Sequence, residues 1–494
     1  MNILFDTNIL ILLNQQPVNS RFACMLRTIS ELSWHIFVHP LQKRDFERDS
    51  DVDRRIINLS MFNRFEVLLD PPIPTDNEIK NLGWIQKNDH DQVDNQLLFC
   101  VKEDVVHLLV SEDKGIHKKA KHVNISEQVH FIDQFISFLE EFKRPKFNVP
   151  VGIELKKVYQ LNKNSSFWDS LCKTYPNFNS WLVKISKEQR ECWCVVKPSL
   201  SSKSSIIEPL AVCIFKVEEN TSFPTYSDLY LEGKILKLCT FKISEDYRGH
   251  KIGERLLYTA FSYAVRNKLS YVYLHTRKQD KLVQLCEEYG FVKQGRYKED
   301  DVLVKKMIPP TGEVLKNLDP LKFNHSFYPY FIDDENVQKF LVPIKREYHE
   351  MLFPDVSNYV DSLFPNDLVC SNPQSNTIKK VYLSHSNINS IKPGDLLLFY
   401  RSHDRKTIEV IGVVEQAIRT CDYNRVSALI SKRSVYSPEE IKKILNKSTL
   451  VILFRLVKYL NPISVETINQ AGIKGSIQSI RKIPNRAYRS IMGK

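Results

Sequence analysis

Tyr247-Arg248-Gly249-His250-Lys251-Ile252-Gly253-Glu254-Arg255-Leu256-Leu257 (YRGHKIGERLL) decides how the middle of this chain is read. Upstream, Leu236–Ile243 (LKLCTFKI) has the pattern of a buried strand. Downstream, Ile252, Leu256, Leu257, Ala260 and Phe261 recur at helical spacing. Between them, small and basic residues let backbone N–H groups point outward at a helix start. Such a turn binds a pyrophosphate without a dedicated side chain. The run therefore points to a nucleotide-like cofactor, although a short glycine turn alone is weak evidence.

Working outward, Cys192–Val196 and Leu210–Val217 read with Leu236–Ile243 as a mostly antiparallel sheet ahead of the turn, and Tyr271–His275 as the strand after the helix. Pro309 and Pro310 close this unit, 151–310. Before it, Lys143–Pro150 (KRPKFNVP) is a basic, proline-bounded linker. Residues 1–142 alternate strand patterns (Ile3–Phe5, Ile36–Val38, Val106–Val110) with helical ones (Arg54–Phe62, Asp94–Val101). That rhythm predicts a parallel sheet covered on both faces. After 310 comes an aromatic, loop-like connector, 311–337. Lys379–Leu383, Asp395–Tyr400, Thr407–Val414 and Thr449–Val457 then read as strands of a small β-barrel, punctuated by Gly, Pro and Asp.

The net charge of +12 favours a polyanionic partner, most often nucleic acid, over a merely basic surface. At 494 residues the chain is too long for one core, and about three domains are expected. Ten cysteines without paired metal spacing fit reduced thiols in a cytosolic compartment. Cys192 and Cys194 are expected on opposite faces of their strand. The opening MNILFDTNILILL lacks a basic n-region and is broken by Asp6, so it is not read as a signal peptide. No stretch is apolar enough to span a membrane.

The middle unit resembles the GNAT acetyltransferases. The family's turn has Arg or Gln, two variable residues, Gly, one variable residue, then Gly or Ala. Here this maps onto Arg248, Gly249, His250, Lys251, Ile252 and Gly253, with Lys251 replacing the first glycine. The Lys251 side chain is expected to point to solvent or contact a phosphate, with Arg248 and Arg255 adding positive charge. Cys286-Glu287-Glu288-Tyr289-Gly290-Phe291 resembles the family's helix ending in Gly-Phe. The likeness implies acetyl-coenzyme A as donor. The family often places a tyrosine four residues before that glycine, as acid for the leaving thiolate; that position is Cys286. A thiol near its own pKa can donate a proton, and a packed core cysteine is the rival reading. Tyr289 falls on another helix face. No general base stands out: Glu245 and Asp246 lie near the turn, but such residues usually cap helices, and a water chain would also serve.

In the first unit, Asp6 and Asp113 each follow a short apolar strand, where open parallel sheets bind ligands. Asp94 sits at an expected helix N-terminus, and Asp45 follows His39–Arg44. Clustered carboxylates repel one another unless a divalent cation neutralises them, and hard oxygen ligands suit Mg²⁺ or Mn²⁺. Singly, each acid is more often a cap or a solvated charge. With FDTN at Phe5–Asn8, VDNQLL at Val93–Leu98 and SEDKGI at Ser111–Ile116, the segment resembles a PIN domain. The likeness implies a ribonuclease with Asp6, Asp45, Asp94 and Asp113 holding the metal, Asp6 and Asp113 being catalytic, and Asp91 a further ligand. Asp45 stands where the family has Glu, and Glu47 is a substitute. Ser111 either orients a ligand or caps its turn.

Phe340–Asp355 (FLVPIKREYHEMLFPD), Ile391–Tyr400 (IKPGDLLLFY) and Ile408–Val414 (IEVIGVV) resemble an ASCH domain, a PUA-like β-barrel. Its relatives are associated with RNA binding. That implies Lys345, Arg346, Lys379, Lys380 and Arg401 as phosphate contacts, and Tyr348 and Tyr400 as stacking surfaces. Beyond Glu466 there is no further acid, while Lys474, Arg481, Lys482, Arg486 and Arg489 accumulate. This tail is either a solvated terminus or an extension of the phosphate track.

The fold class expected is therefore multi-domain α/β and α+β: a parallel-sheet PIN-like domain (1–142), a mixed-sheet GNAT domain (151–310), a connector (311–337) and a PUA-like β-barrel with a basic tail (338–494). The expected function is a cytoplasmic, toxin-like or stress-response N-acetyltransferase fused to a Mg²⁺- or Mn²⁺-dependent ribonuclease, acting on RNA or a ribonucleoprotein. An antitoxin or regulatory protein is a possible partner; no membrane is involved. Two rivals remain: an acetyltransferase whose flanking domains only bind, and a non-enzymatic RNA-binding regulator.

Overall fold

The computed structural model describes residues 1–14, 20–141, 152–196, 207–223, 229–277, 280–312, 318–357, 377–430 and 433–493. The linker expected at 143–150 lies outside them. The chain forms two compact units. One gathers the described residues of 1–145, 421–432 and 438–446; the rest form the other.

The first unit is built on five parallel strands: β1 (Asn2–Phe5), β2 (His35–Val38), β3 (Glu66–Val67), β4 (Leu108–Val110) and β5 (Val129–His130), in the order β3-β2-β1-β4-β5. Alternation decides the faces. Ile3, Phe5, Leu108 and Val110 pack with Ile9, Leu10 and Phe135 on one side, whereas Leu4 and Leu109 pack with Leu97, Leu98 and Ile116 on the other. Both faces are dry, as parallel sheets require. The strand order reverses between β1 and β4, so their carboxyl ends open a crevice there. The helix Tyr423–Ile430, from far along the chain, places Ala428 in this core, and Arg425 pairs with Asp104 at 3.3 Å.

The second unit holds two sheets. The first comprises β6 (Glu154–Lys157), β7 (Glu191–Val196), β8 (Pro209–Phe223), β9 (Leu229–Ile243), β10 (Tyr271–Thr276), β11 (Val292–Tyr297) and β12 (Asp300–Lys306), in the order β11-β12-β10-β9-β8-β7-β6. Among the described strands of this sheet only β9 and β10 pair in parallel, and they are joined by the crossover helix Ile252–Arg266. Its expected stripe of Ile252, Leu256, Leu257, Ala260 and Phe261 is buried. Cys192 and Cys194 correct one expectation. Residues two apart on a strand point the same way, and both thiols enter one cluster with Val212 and Ile214 while Trp193 faces the other.

The second sheet comprises β13 (Lys339–Ile344), β14 (Lys379–Ser384), β15 (Leu396–Arg401), β16 (Thr407–Thr420), β17 (Thr449–Ser464) and β18 (Arg481–Ile483), in the order β14-β17-β16-β15-β13-β18. Among the described residues β14 and β18 each pair with one neighbour, so the ladder stays open and the expected closed barrel does not form. The basic tail is not a loose terminus. β18 hydrogen-bonds to β13, and the helix Asn485–Ile491 buries Ala487, Tyr488 and Ile491.

Among its described residues the connector is loop-like except for one helix. Asp319 caps a helix, Pro320–Phe327, by accepting from Lys322 N–H, with Pro320 in the first turn. Tyr328 behind it is fully buried and donates to the Leu456 carbonyl at 2.6 Å. Through these aromatics one core runs from Leu256 and Phe261 to Leu341, Leu398 and Tyr488.

Candidate functional site

The register of β9 on β10 runs from Ile235↔Tyr271 to Leu238↔Leu274 and stops. Beyond it β9 continues to Ile243 and β10 to Thr276, so the two edges part. A bulge at Cys239, where β8 pairs Phe215 with Leu238 but Ile214 with Thr240, adds to the bend. At the end of β9 the chain turns through Gly249 (φ 81°) and Lys251 (φ 58°). The left-handed form suits glycine and costs another residue roughly 1–2 kcal/mol. Lys251 thus adopts the conformation that the glycine it replaces would supply. The helix starts at Ile252 with no side-chain cap. Its first amides have no carbonyl within the helix, and the positive end of its dipole lies at the mouth of the parted strands. Gly253 lets the neighbouring helix approach: a Cβ there would stand 2.9 Å from Leu285 Cδ2.

The side chains of the turn depart from expectation. Lys251 is folded inward, its Nζ 3.1 Å from Glu254 Oε1, and so does not reach for a phosphate. Arg255 is committed to Asp355, with Nη1 at 2.5 Å from Oδ2. His250 is buried beside Tyr247. Arg248, 3.2 Å from Glu245, keeps 41% of its side chain exposed, so it alone of the turn's cations faces outward. Cys286 is fully buried with Tyr289 and Phe291, and burial pushes its thiol far up. Its geometry is that of the packed reading, not of an accessible proton donor. Tyr289 donates to Glu254 Oε2 at 2.9 Å.

The opposite face of the parted strands sets polar groups beside an apolar cluster of Ile235, Tyr273, Val302 and Val304. His275 is the first residue of β10 beyond the pairing. Burial, then the charge of Lys237, push its imidazole down to about 4, so it is neutral at pH 7. On the same face, two residues back, Tyr273 donates to Glu218 Oε2 at 2.5 Å. Arg277 closes one end. It lies 4.9 Å over the Tyr175 ring, donates to the Thr174 carbonyl at 2.8 Å, and pairs with Glu299 at 2.9 Å and Asp300 at 3.4 Å. The sequence reading missed these groups because they come from four separate segments. The available signal was His275 ending an apolar strand directly after the crossover.

In the first unit, Asp6 and Asp113 stand together at the β1/β4 crevice. Ser111 donates to Asp6 Oδ2 (2.6 Å) and accepts from Asp113 N–H (2.9 Å), the second bond closing its turn. Burial, then Asp113 and Asp45, push Asp6 up to about 6 against the hydrogen bonds from Ser111 and Thr7. Asp94 lies inside the helix Asp89–Lys102 rather than at its start; burial and the charge of Asp6 push it up to about 7. Lys119 stands 3.2 Å from Asp91 and 3.8 Å from Asp94. Asp113 caps its helix through Ile116 N–H, Asp45 meets Thr7 and His90, and Glu47 pairs with Lys43 instead of substituting for it. Among the described residues no three such acids are placed to hold one ion. The expected Mg²⁺ or Mn²⁺ site is not supported: among the described residues the acids gather no such set, and the Lys119 ammonium stands among them, although burial and mutual repulsion still push Asp6 and Asp94 up.

Three of the expected RNA contacts are buried. Lys379 (7% exposed) pairs with Glu288 and Glu415, and Lys380 is fully enclosed. Arg401 (2%) is held by Asp404 and Glu350. Tyr400 is 6% exposed, and so offers no stacking face, while Tyr348 packs on Tyr436 at 4.7 Å. Lys345 and Arg346 are exposed, Arg346 within 3.0 Å of Glu350.

Residues 156–291 match the model of the Acetyltransferase (GNAT) family. The chain thus carries a GNAT acetyltransferase domain, and the match covers the turn, the crossover helix and both parted strands. Among solved structures the chain is similar to ASCH from Zymomonas mobilis (11% identity, 31% of this chain and 94% of that one, TM-score 0.25). It is also similar to NAA60 of Arabidopsis thaliana in complex with a bisubstrate analogue (17% identity, 31% and 96%, TM-score 0.24). A third is an AtaT toxin variant bound to the C-terminus of the antitoxin AtaR (10% identity, 31% and 92%, TM-score 0.22). No curated protein matches the chain. Among the described residues no helix is long and apolar enough to cross a membrane.

Proposed function

We propose that this chain transfers the acetyl group of acetyl-coenzyme A to an amine. The observation that carries the reading is the cradle itself: parted strands opening on an uncapped helix start, within the residues that match the family. The amides of Ile252 and Gly253, with Arg248, would hold the pyrophosphate, and the gap beyond Leu238 and Leu274 would take the pantetheine arm. When bound, acetyl-coenzyme A supplies an activated acyl carbonyl. The amine enters from the opposite face of the parted strands. There the neutral His275 imidazole takes, directly or through one water, the proton that the amine gives up as its nitrogen bonds the acyl carbon, and coenzyme A departs as the C–S bond breaks, leaving as the thiol with that proton. Tyr175 and Arg277 bound the acceptor at one end.

Two observations favour the version in which the flanking segments bind rather than cut: the Lys119 ammonium stands among the acids of the first unit, and among the described residues those acids gather no ion site. RNA docking, if the second sheet performs it, falls to Lys345 and the exposed Arg481, Lys482 and Arg486 rather than to Lys379, Lys380 and Arg401. Calorimetry with acetyl-coenzyme A on wild type and Gly253→Glu tests the proposal, with Arg248→Ala as the milder variant. Saturable one-site binding, weakened by either change, is expected. A wild type that does not bind refutes the acetyltransferase reading.

A further inference from the structure

We infer that Glu254 is a positioning residue for acetyl-coenzyme A: it clamps, from inside the fold, the left-handed Lys251 turn that aims the phosphate-binding amides, and the second sheet shares in the clamp. The inference rests on the reading of that turn as the cofactor site.

Four groups converge on this carboxylate, whose side chain is 2% exposed. Lys251 Nζ and Arg433 Nη1 approach Oε1 at 3.1 and 3.6 Å. The Tyr289 hydroxyl and the Ile378 N–H donate to Oε2 at 2.9 and 3.0 Å. Glu254 is the third residue of its helix, where a glutamate commonly reaches back to the backbone N–H of the capping residue. Here it takes that residue's side chain instead, and the capping residue is Lys251 at φ 58°. A lysine prefers to leave this conformation, and the buried ion pair opposes that preference. Release of Lys251 would rotate the peptide that carries the Ile252 amide. Burial alone would push the Glu254 carboxyl up, but Lys251 and Arg433 outweigh it and hold it below its ordinary range. It is therefore charged at neutral pH. Two of its four partners are tied to the second sheet: Ile378 directly precedes β14, and Arg433 accepts from the Val381 N–H of β14 and donates to the Lys379 carbonyl, each at 3.2 Å. A shift of that sheet is thereby felt at the cofactor turn.

The test uses the full chain, with acetyl-coenzyme A binding followed by calorimetry, initial rates and thermal unfolding. Glu254→Gln keeps the shape and loses both ion pairs. Its Kd is expected to rise about tenfold, equivalent to about 1.4 kcal/mol, with KM for acetyl-coenzyme A rising in step and kcat within about twofold. Adding Lys251→Gly to Glu254→Gln is expected to restore Kd to within about twofold of wild type, because glycine adopts the turn without a clamp. It should not restore the lost thermal stability. A Kd unchanged in Glu254→Gln overturns the clamp, and so does a loss that glycine fails to rescue or that merely follows the melting temperature. Should Glu254→Gln not fold, Glu254→Asp, whose shorter arm parts the ion pair, takes its place with the same outcomes. A wild type that binds beside an unaffected Glu254→Gln sinks the clamp alone; a wild type that does not bind sinks the acetyltransferase reading with it.

Discussion

Asp94→Asn should stabilise the first unit, and increasingly so as the pH rises. In the folded chain, burial and the negative charge of Asp6 push the Asp94 carboxyl from 3.8 up to about 7, against the pull of Lys119. A carboxyl raised in this way is fully accommodated below its unfolded pKa. Its cost then appears as the pH climbs from about 4 through about 7, because the unfolded chain gives up the proton first. At about 1.4 kcal/mol per pH unit, the rise is worth about 4 kcal/mol by pH 8. The side chain is 23% exposed and Lys119 can follow it, so about half of that, roughly 2 kcal/mol, is the expected gain on neutralisation. Asparagine keeps the volume, and Lys119 keeps Asp91. Hydrogen exchange of β1 and β4 amides in the full-length protein reads this unit selectively. At pH 8 the variant should exchange about 30-fold more slowly, a factor shrinking toward one near pH 4. Equal exchange at pH 8, or wild-type protection that increases from pH 5 to pH 8, refutes the argument that these carboxylates carry uncompensated repulsion.

Three further outcomes are expected. His275→Gln should lower kcat about 10- to 100-fold and leave KM for acetyl-coenzyme A within about twofold, since it removes a proton acceptor and not a cofactor contact; a kcat near wild type assigns the base elsewhere. Cys286→Ala should leave kcat within about twofold while costing about 1–2 kcal/mol in denaturant unfolding, whereas a large fall in kcat would reinstate the thiol as the acid. Lys380→Met should raise stability at pH 6, with the gain fading toward pH 10. Burial and Arg255 push this ammonium down to about 7, and a lysine so lowered costs stability as the pH falls through the range between 10.5 and about 7. A melting temperature equally changed at both pH values would contradict it.

What could be read in the sequence was whatever repeats locally. The crossover helix announced itself by its stripe from Ile252 to Phe261, the parallel sheet by the apolar runs Ile3–Phe5 and Val106–Val110, and the glycine turn by small and basic residues between a strand and a helix. Strands β3 and β5 carry too few residues to show a period. The helix Pro320–Phe327 was hidden by its aromatics, although Asp319-Pro320 is a regular start signal. Charge was the weakest guide. Lys379, Lys380 and Arg401 look like phosphate contacts in a basic sequence. Their acid partners Glu288, Glu415, Asp355 and Glu350 lie elsewhere in the chain, apart from Asp404 beside Arg401, and nothing local reveals that they meet. The same blindness applied to Lys251, whose inward pairing depends on a buried Glu254 that sequence alone presents as one more surface charge.

The helix that carries Ala428 into the first unit leaves the ribosome about 280 residues after the last N-terminal helix of that unit. At a synthesis rate of roughly 5–20 residues per second, the earliest-made sheet waits tens of seconds before its packing is complete. During that wait its flank is open to chaperones and proteases. A fragment ending near residue 142 would remain permanently in this unfinished state, so silence from such a fragment would say nothing about the intact chain.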